Sequence, residues 1–393
     1  MRLGALPWSI WGLLPFYIPS IIASRGEDTR IDPTFNHSEA EWSNPPPPPE
    51  PLPLPPPRPL VIWHGLGDQY ASPGMMDFIE LIKQTHPGIF VHSVRISDEP
   101  SSDQRAGWFG NVNDQIAQVA EQIASIPELQ SGFDAMGFSQ AGQFLRAYVE
   151  RYNSPLVKNL ITFGSQHMGI SDLPGCRPTD FLCRAARSAA GAGVYTYYAQ
   201  HHLVQVESLY PVPRRAQYFR DHKHYTSYLR SSTFLADINN EIAEDDGDDD
   251  DLTNESEMRS SRNATYAANL ATLENFVMIL FDKDQTVVPK ESAWFGSYEL
   301  PDDDDDDSPT TDAPPIVLMR QQPLYKEDWI GLRTLDEQGK VHQVVCNGEH
   351  MRLEEACWLP IVERWTGDID MDASDMKDSQ KPPVFSPLLL QDW

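Results

Sequence analysis

The sequence predicts an α/β fold, a mostly parallel sheet with helices on both faces and a helical insertion or cap. Three observations carry that prediction. Uninterrupted apolar runs recur at Leu60-Val61-Ile62-Trp63, Leu160-Ile161-Thr162-Phe163 and Phe276-Val277-Met278-Ile279-Leu280, and a short apolar run without alternation marks a strand covered on both faces. Between the runs, apolar residues return at helical spacing, as at Ile116, Val119 and Ile123, and parallel strands need such crossovers. The runs also end in polar or glycine-bearing loops, such as His64-Gly65-Leu66-Gly67-Asp68, which is where parallel sheets place their ligands.

Taken in order, the chain of 393 residues begins with Arg2 and an apolar stretch from about Ala5 to Ala23 that ends at the small residues Ala23-Ser24. This is the layout of a secretory signal peptide over residues 1–24. Pro7, Pro15 and Pro19 argue against a spanning helix there, and no later segment is apolar enough to cross a bilayer,. Residues 25–58 contain a dense proline tract that reads as an extended linker,. A catalytic domain is expected over residues 59–366. Within it Leu60 opens the first strand, residues 89–94 read as the second, residues 112–126 as a helix, and Phe144, Leu145, Tyr148 and Val149 continue the helical pattern after Ser139,. Residues 172–242 are aromatic-rich and helix-like, and suggest a cap over the sheet,. The acidic tail at residues 367–393 is expected to be disordered,. There are no internal repeats.

The formal charge of −28 is concentrated in two acidic runs, at residues 244–251 and 302–307. Charges packed this densely cannot be buried, so both read as solvated loops rather than metal sites. With no basic patch to neutralise phosphates, nucleic acid is excluded as a partner.

The chemistry centres on Ala135-Met136-Gly137-Phe138-Ser139-Gln140-Ala141-Gly142, a serine between an apolar run and a helix-like run. That is the pattern of a nucleophile elbow. Ala141 stands where the strict pattern has glycine, and its methyl is expected at the closest approach of helix and strand. In α/β-hydrolases the acid and then the histidine follow the serine along the chain. Either Asp282 or Asp284 follows the run at residues 276–280; Asp284 is preferred because it lies further out and precedes Val287-Val288-Pro289. Asp282 reads otherwise as a solvated partner of Lys283. His350, in Cys346-Asn347-Gly348-Glu349-His350-Met351, completes the order as the general base,. His64 and His167 also follow strands but precede the acid; His224 lies among tyrosines in the cap. For a tetrahedral oxyanion, the N–H of Gln140 supplies one donor and that of Leu66 the other.

Four cysteines and secretion permit disulfides,. Cys176 and Cys183 bracket a short loop. Cys346 and Cys357 bracket His350 and would staple its loop; two free core thiols are the alternative. Neither pair has metal-site spacing, so no metal is expected. Sequons at Asn36, Asn254 and Asn263 fit a secretory route,.

These motifs resemble the palmitoyl-protein thioesterases. The resemblance runs through Pro59-Leu60-Val61-Ile62-Trp63-His64-Gly65-Leu66-Gly67-Asp68, Asn111-Val112-Asn113, the Ser139 elbow, Gln166-His167-Met168-Gly169, Phe234-Leu235-Ala236-Asp237-Ile238-Asn239, Trp294-Phe295-Gly296 and Gly348-Glu349-His350. It implies an α/β-hydrolase fold with Ser139 as nucleophile, Asp284 as orienting acid and His350 as base. It further implies hydrolysis of long-chain acyl thioesters on protein or peptide cysteines, without a cofactor, in the lumen of a lysosome or vacuole. Cys176 and Cys183 match a disulfide of the family, whereas Cys346 with Cys357 is a departure from it, as are Ala141 and the two acidic loops. A long acyl chain needs an apolar groove, expected beneath residues 172–242. The rival readings are a secreted carboxylic-ester hydrolase or lipase with the same triad, and a non-catalytic binding protein, for which a triad member should be missing. Oligomeric state is left open.

Overall fold

Alternate residues of each central strand feed two separate cores. Along β1 (Leu60–Trp63), Leu60 and Ile62 point one way, Val61 and Trp63 the other, and all four are buried. Such a strand must be apolar throughout, which is why its run shows no alternation. The computed structural model describes residues 55–171, 218–223, 225, 228–229, 232–241, 262–300 and 314–368. The signal, most of the proline segment, most of the cap-like insertion, both acidic runs and nearly all of the tail lie outside them, as do Cys176, Cys183, Asn36, Asn254 and His224.

After β1 come α1 (Pro73–Thr85), β2 (Val91–Ser93), α2 (Pro100–Phe109), α3 (Val112–Ala124), β3 (Phe133–Phe138), α4 (Gln140–Arg151) and β4 (Val157–Phe163). A short helix α5 (Leu235–Ile238) and α6 (Ala264–Leu270) precede β5 (Asn275–Phe281). The strands β6 (Ser297–Tyr298) and β7 (Ile316–Val317) pair with each other, and α7 (Pro323–Lys326), α8 (Leu332–Glu337), β8 (Val341–Cys346) and α9 (Glu355–Trp365) follow. The main sheet has the order β2-β1-β3-β4-β5-β8, and every adjacent pair is parallel.

The expected alternation therefore holds. The second strand is shorter than residues 89–94 because Ile89 bonds to His86 in a turn and Val94 is already packed under the α3 face. On one side of the sheet α3 and α4 enclose Val61, Trp63, Ile116, Phe133 and Phe144. On the other, α1 and α9 enclose Leu60, Ile62, Met136, Phe138, Phe78 and Trp358. The starts of α1 and α3 follow from their caps: Ser72 accepts from the N–H of Met75 ahead of a proline in the first turn, and Asn111 accepts from that of Asn113,. Parallel strands all end on the same edge, so the loops after β1, β3, β5 and β8 converge there.

Candidate active site

No residue separates the end of β3 at Phe138 from the start of α4 at Gln140 except Ser139, so the chain must reverse at one residue. Ser139 does this at φ 53° and ψ −123°, a strained conformation for a residue with a Cβ,. Its N–H donates to the Phe163 carbonyl at 2.8 Å, which ties the elbow to the neighbouring strand. A Cβ on Gly137 would lie 2.6 Å from the Cα of Gly142, so these two glycines make the tight crossing. Ala141, the preceding residue of α4, is fully buried in the core, and the same added Cβ would stand 2.7 Å from its backbone carbonyl carbon.

Asp284 lies in a turn closed by its N–H to the Phe281 carbonyl at the end of β5. Its Oδ1 accepts from the N–H groups of Thr286 at 2.8 Å and Val287 at 3.0 Å, leaving Oδ2 aimed at His350 Nδ1, 2.7 Å away. His350 Nε2 is in turn 3.1 Å from Ser139 Oγ. The side chains of His350 and Asp284 are only 5 % and 3 % exposed, so their contact is shielded from water. Three residues from three loops thus form one continuous chain, in the order the sequence predicts.

The His350 loop is fixed at both ends. Asp282, far from being a solvated partner of Lys283, accepts the N–H of Gly348 at 2.6 Å, and its own N–H donates to the Cys346 carbonyl at 3.0 Å. Cys346, at the end of β8, is disulfide-bonded to Cys357 in α9, so the free-thiol alternative does not hold. The staple encloses the loop that carries the histidine. From below, Gly164 packs against the His350 ring, at φ +57°.

The residues expected to carry the oxyanion donors flank the elbow. The Asp68 N–H donates to the Gly65 carbonyl at 3.3 Å with Gly67 at φ +81°, a turn whose third position calls for glycine,. A Cβ on Gly65 would stand 3.4 Å from Ser139 Cβ, so the turn lies directly on the elbow. The N–H of Leu66 makes no hydrogen bond among the described residues. That of Gln140, first in α4, has no partner within the helix,.

A cavity of about 500 Å³ opens onto Ser139 and His350. Its apolar wall is built from Leu66, Met75, Phe78 and Leu81 on one side and Leu353 and Trp358 on the other. The groove expected beneath residues 172–242 falls mostly outside the described residues; among those described, this cavity lies between α1 and the segment leading into α9. Sequence reasoning missed this wall because it depends on how those two helices pack over the sheet. The signal was there in the helical spacing of Met75, Phe78 and Leu81,.

The rival histidines are elsewhere occupied. His167 is stacked on Phe295 with ring centroids 4.9 Å apart and places Nε2 3.0 Å from Thr162 Oγ1. Burial, helped by the charge of Arg146, pushes its pKa well below the ordinary value and leaves it neutral,. His64 is buried against Asp103. Asn263 is exposed and caps α6 by accepting from the Thr265 N–H.

Among known proteins, the family model described as palmitoyl protein thioesterase matches residues 59–350. Palmitoyl-protein thioesterase 1 of Caenorhabditis elegans is 35% identical over 296 residues, covering 75% of this chain and 87% of the relative. Palmitoyl-protein thioesterase 3 of Dictyostelium discoideum is 30% identical over 302 residues, covering 76% and 88%. The lysosomal thioesterase PPT2 of Rattus norvegicus is 26% identical over 290 residues, covering 72% and 78%.

Proposed function

The chain belongs to the palmitoyl protein thioesterase family, and from that premise we propose that it is a depalmitoylating hydrolase in which Ser139, His350 and Asp284 cleave the thioester between a long-chain acyl group and a cysteine. The observation that carries this reading is the continuous contact from Asp284 through His350 to Ser139, opening onto an apolar cavity.

His350 Nε2 takes the Ser139 proton as Oγ attacks the carbonyl carbon, and Asp284 stabilises the imidazolium that forms. The carbonyl oxygen becomes an oxyanion facing the N–H groups of Leu66 and Gln140. Collapse breaks the C–S bond. The cysteine sulfur leaves with the electron pair and recovers the proton from His350. Water then gives its proton to His350 while its oxygen attacks the acyl-serine, releasing the fatty acid and returning the proton to Ser139. Each methylene buried in the cavity contributes about 0.8 kcal/mol, so shortening the chain by two carbons weakens binding roughly tenfold. This favours palmitoyl over short acyl groups.

The likeness to a lysosomal thioesterase supports a lysosomal or secretory route, and no helix of the described residues is long and apolar enough to cross a membrane. We assign the finer details to the same proposal: a cleaved signal over residues 1–24, glycans at Asn36, Asn254 and Asn263, and a bridge between Cys176 and Cys183.

The test is hydrolysis of a palmitoyl-cysteine peptide by the purified chain and by Ser139→Ala. Activity should fall at least a thousandfold in the variant. Equal activity would remove Ser139 from the mechanism, and cleavage of oxygen esters with no thioesterase activity would replace the substrate class with that of a carboxylic-ester hydrolase.

A further inference from the structure

His64 sits at the end of β1, immediately before the turn that presents the Leu66 N–H, and the proposed mechanism gives it no task. Its surroundings are specific. Nδ1 lies 3.0 Å from the carbonyl oxygen of Gly65, the same oxygen that closes the turn by accepting the Asp68 N–H. Nε2 lies 3.0 Å from Asp103 Oδ2, a charge contact rather than an aligned hydrogen bond. The two side chains are 2 % and 0 % exposed.

Asp103 is built to remain ionised. Its Oδ1 accepts the N–H groups of Ile96 at 2.6 Å and Ser97 at 3.2 Å, and its Oδ2 accepts that of Tyr70 at 3.0 Å. Burial alone would raise the pKa of this carboxyl, but His64 and the N–H groups of Ile96 and Tyr70 together hold it below the ordinary value,. A buried carboxylate needs a compensating charge within reach, and His64 is the group in contact with it.

Both ring nitrogens of His64 therefore face oxygen atoms that only accept. A neutral imidazole carries one N–H, so one nitrogen would turn a lone pair on an oxygen 3.0 Å away; the imidazolium turns an N–H to each, a hydrogen bond to the Gly65 carbonyl and a charge contact with Asp103,. We propose that His64 is a positioning residue, held as a buried imidazolium between Asp103 and the Gly65 carbonyl, that locks the Gly65 to Asp68 turn and so aims the Leu66 N–H at the oxyanion. It acts through the turn and touches no reacting atom. Because the turn lies so close to the elbow that a Cβ added at Gly65 would meet the Phe138 carbonyl oxygen at 3.3 Å and Ser139 Cβ at 3.4 Å, a shift of the turn by a few tenths of an ångström misplaces the donor relative to the nucleophile. The inference rests on the functional reading above.

Two measurements on the full chain test it. In a sample with 15N-labelled histidine, the resonances that vanish in His64→Gln should report two protonated ring nitrogens in the wild type, and a neutral ring in Asp103→Asn. A neutral His64 in the wild type overturns the proposal. With a palmitoyl-cysteine peptide, His64→Gln and Asp103→Asn should each lower kcat about 10–100-fold with KM within twofold, since a misaimed oxyanion donor weakens the transition state and not the acyl pocket. The double variant should be no worse than the poorer single one, because the pair acts as a unit. Losses that add, or that move kcat and KM together in step with melting temperature, would mark a merely structural role and sink the proposal. If the wild type cleaves no long-chain thioester, the functional reading fails by itself, and the NMR result still decides the state of His64.

Discussion

Replacing Gly164 with alanine measures how tightly His350, the proposed base, is held. Gly164 follows β4 with φ +57°, and its N–H donates to the Ile279 carbonyl at 2.8 Å, so its backbone is pinned to the next strand. An added Cβ would lie 3.1 Å from His350 Cε1, 3.2 Å from His350 Nδ1 and 3.1 Å from Phe281 Cε2. Carbon atoms prefer roughly 3.5–4.0 Å, so the ring must retreat by a few tenths of an ångström. It retreats at the expense of its 2.7 Å contact with Asp284 and its 3.1 Å contact with Ser139. The left-handed backbone costs alanine about 1 kcal/mol and the overpacking about 1–3 kcal/mol more. Melting should fall by about 5–10 °C. Misalignment of the base should lower kcat about 10–100-fold, whereas KM should hold because Gly164 is not part of the cavity wall. Circular dichroism melting and steady-state release of thiol from a palmitoyl-cysteine peptide give both readings. A folded Gly164→Ala protein with kcat within twofold of wild type would refute the claim that this glycine positions His350.

Asp284→Asn can still accept from Thr286 and Val287 through its oxygen, but it turns an amide N–H₂ towards His350 Nδ1. The ring is then held in the wrong tautomer, and kcat should drop about 10³–10⁴-fold with little change in melting temperature. Cys357→Ala, or reduction of the wild type, opens the Cys346–Cys357 staple around the His350 loop; stability should fall by about 3 kcal/mol in the chain-entropy account, and kcat should fall with it, as read by denaturant titration and turnover in parallel. Glu150 is fully buried beside Arg146, its Oε1 2.9 Å from Nη1. Burial pushes its carboxyl from the ordinary 4.5 up to about 7 against the pull of that arginine. The folded chain therefore holds a proton that the unfolded chain releases between about 4.5 and 7, so this contribution to stability is complete at acid pH and is lost as pH rises through that window,. The melting temperature should decline from pH 5 to pH 7.5, and Glu150→Gln should flatten the decline; an identical slope in the variant would show that Glu150 is not the group responsible.

Much of the site was legible because its parts are local. The Ser139 elbow, the Gly65 to Asp68 turn and the Asp284 turn are each set by a few consecutive residues whose backbone demands are written in glycines, short side chains and strand-ending apolar runs. Their order along the chain was informative as well, since one parallel sheet brings every loop at a strand's carboxyl end to the same edge. What stayed hidden depends on distant pairs. Asp103 is far from His64 in sequence and reads as an ordinary acid in a helical turn. Asp282 read as a surface residue until the Gly348 N–H came onto its carboxylate, and Gly164 has no local mark of its contact with His350.

The sequence by itself determined the fold class and pointed to Ser139, His350 and Asp284 as the proposed nucleophile, base and acid, because periodicity and turn chemistry act over short spans and fix which face of each element is apolar and where each chain reversal falls. Only the tertiary structure decided which helices wall the cavity, that the elbow's close crossing is Gly137 against Gly142, and that His64 is sealed against Asp103. Those outcomes come from packing between residues far apart in the chain. Side-chain volume and buried charge settle them only when the two faces of the sheet close.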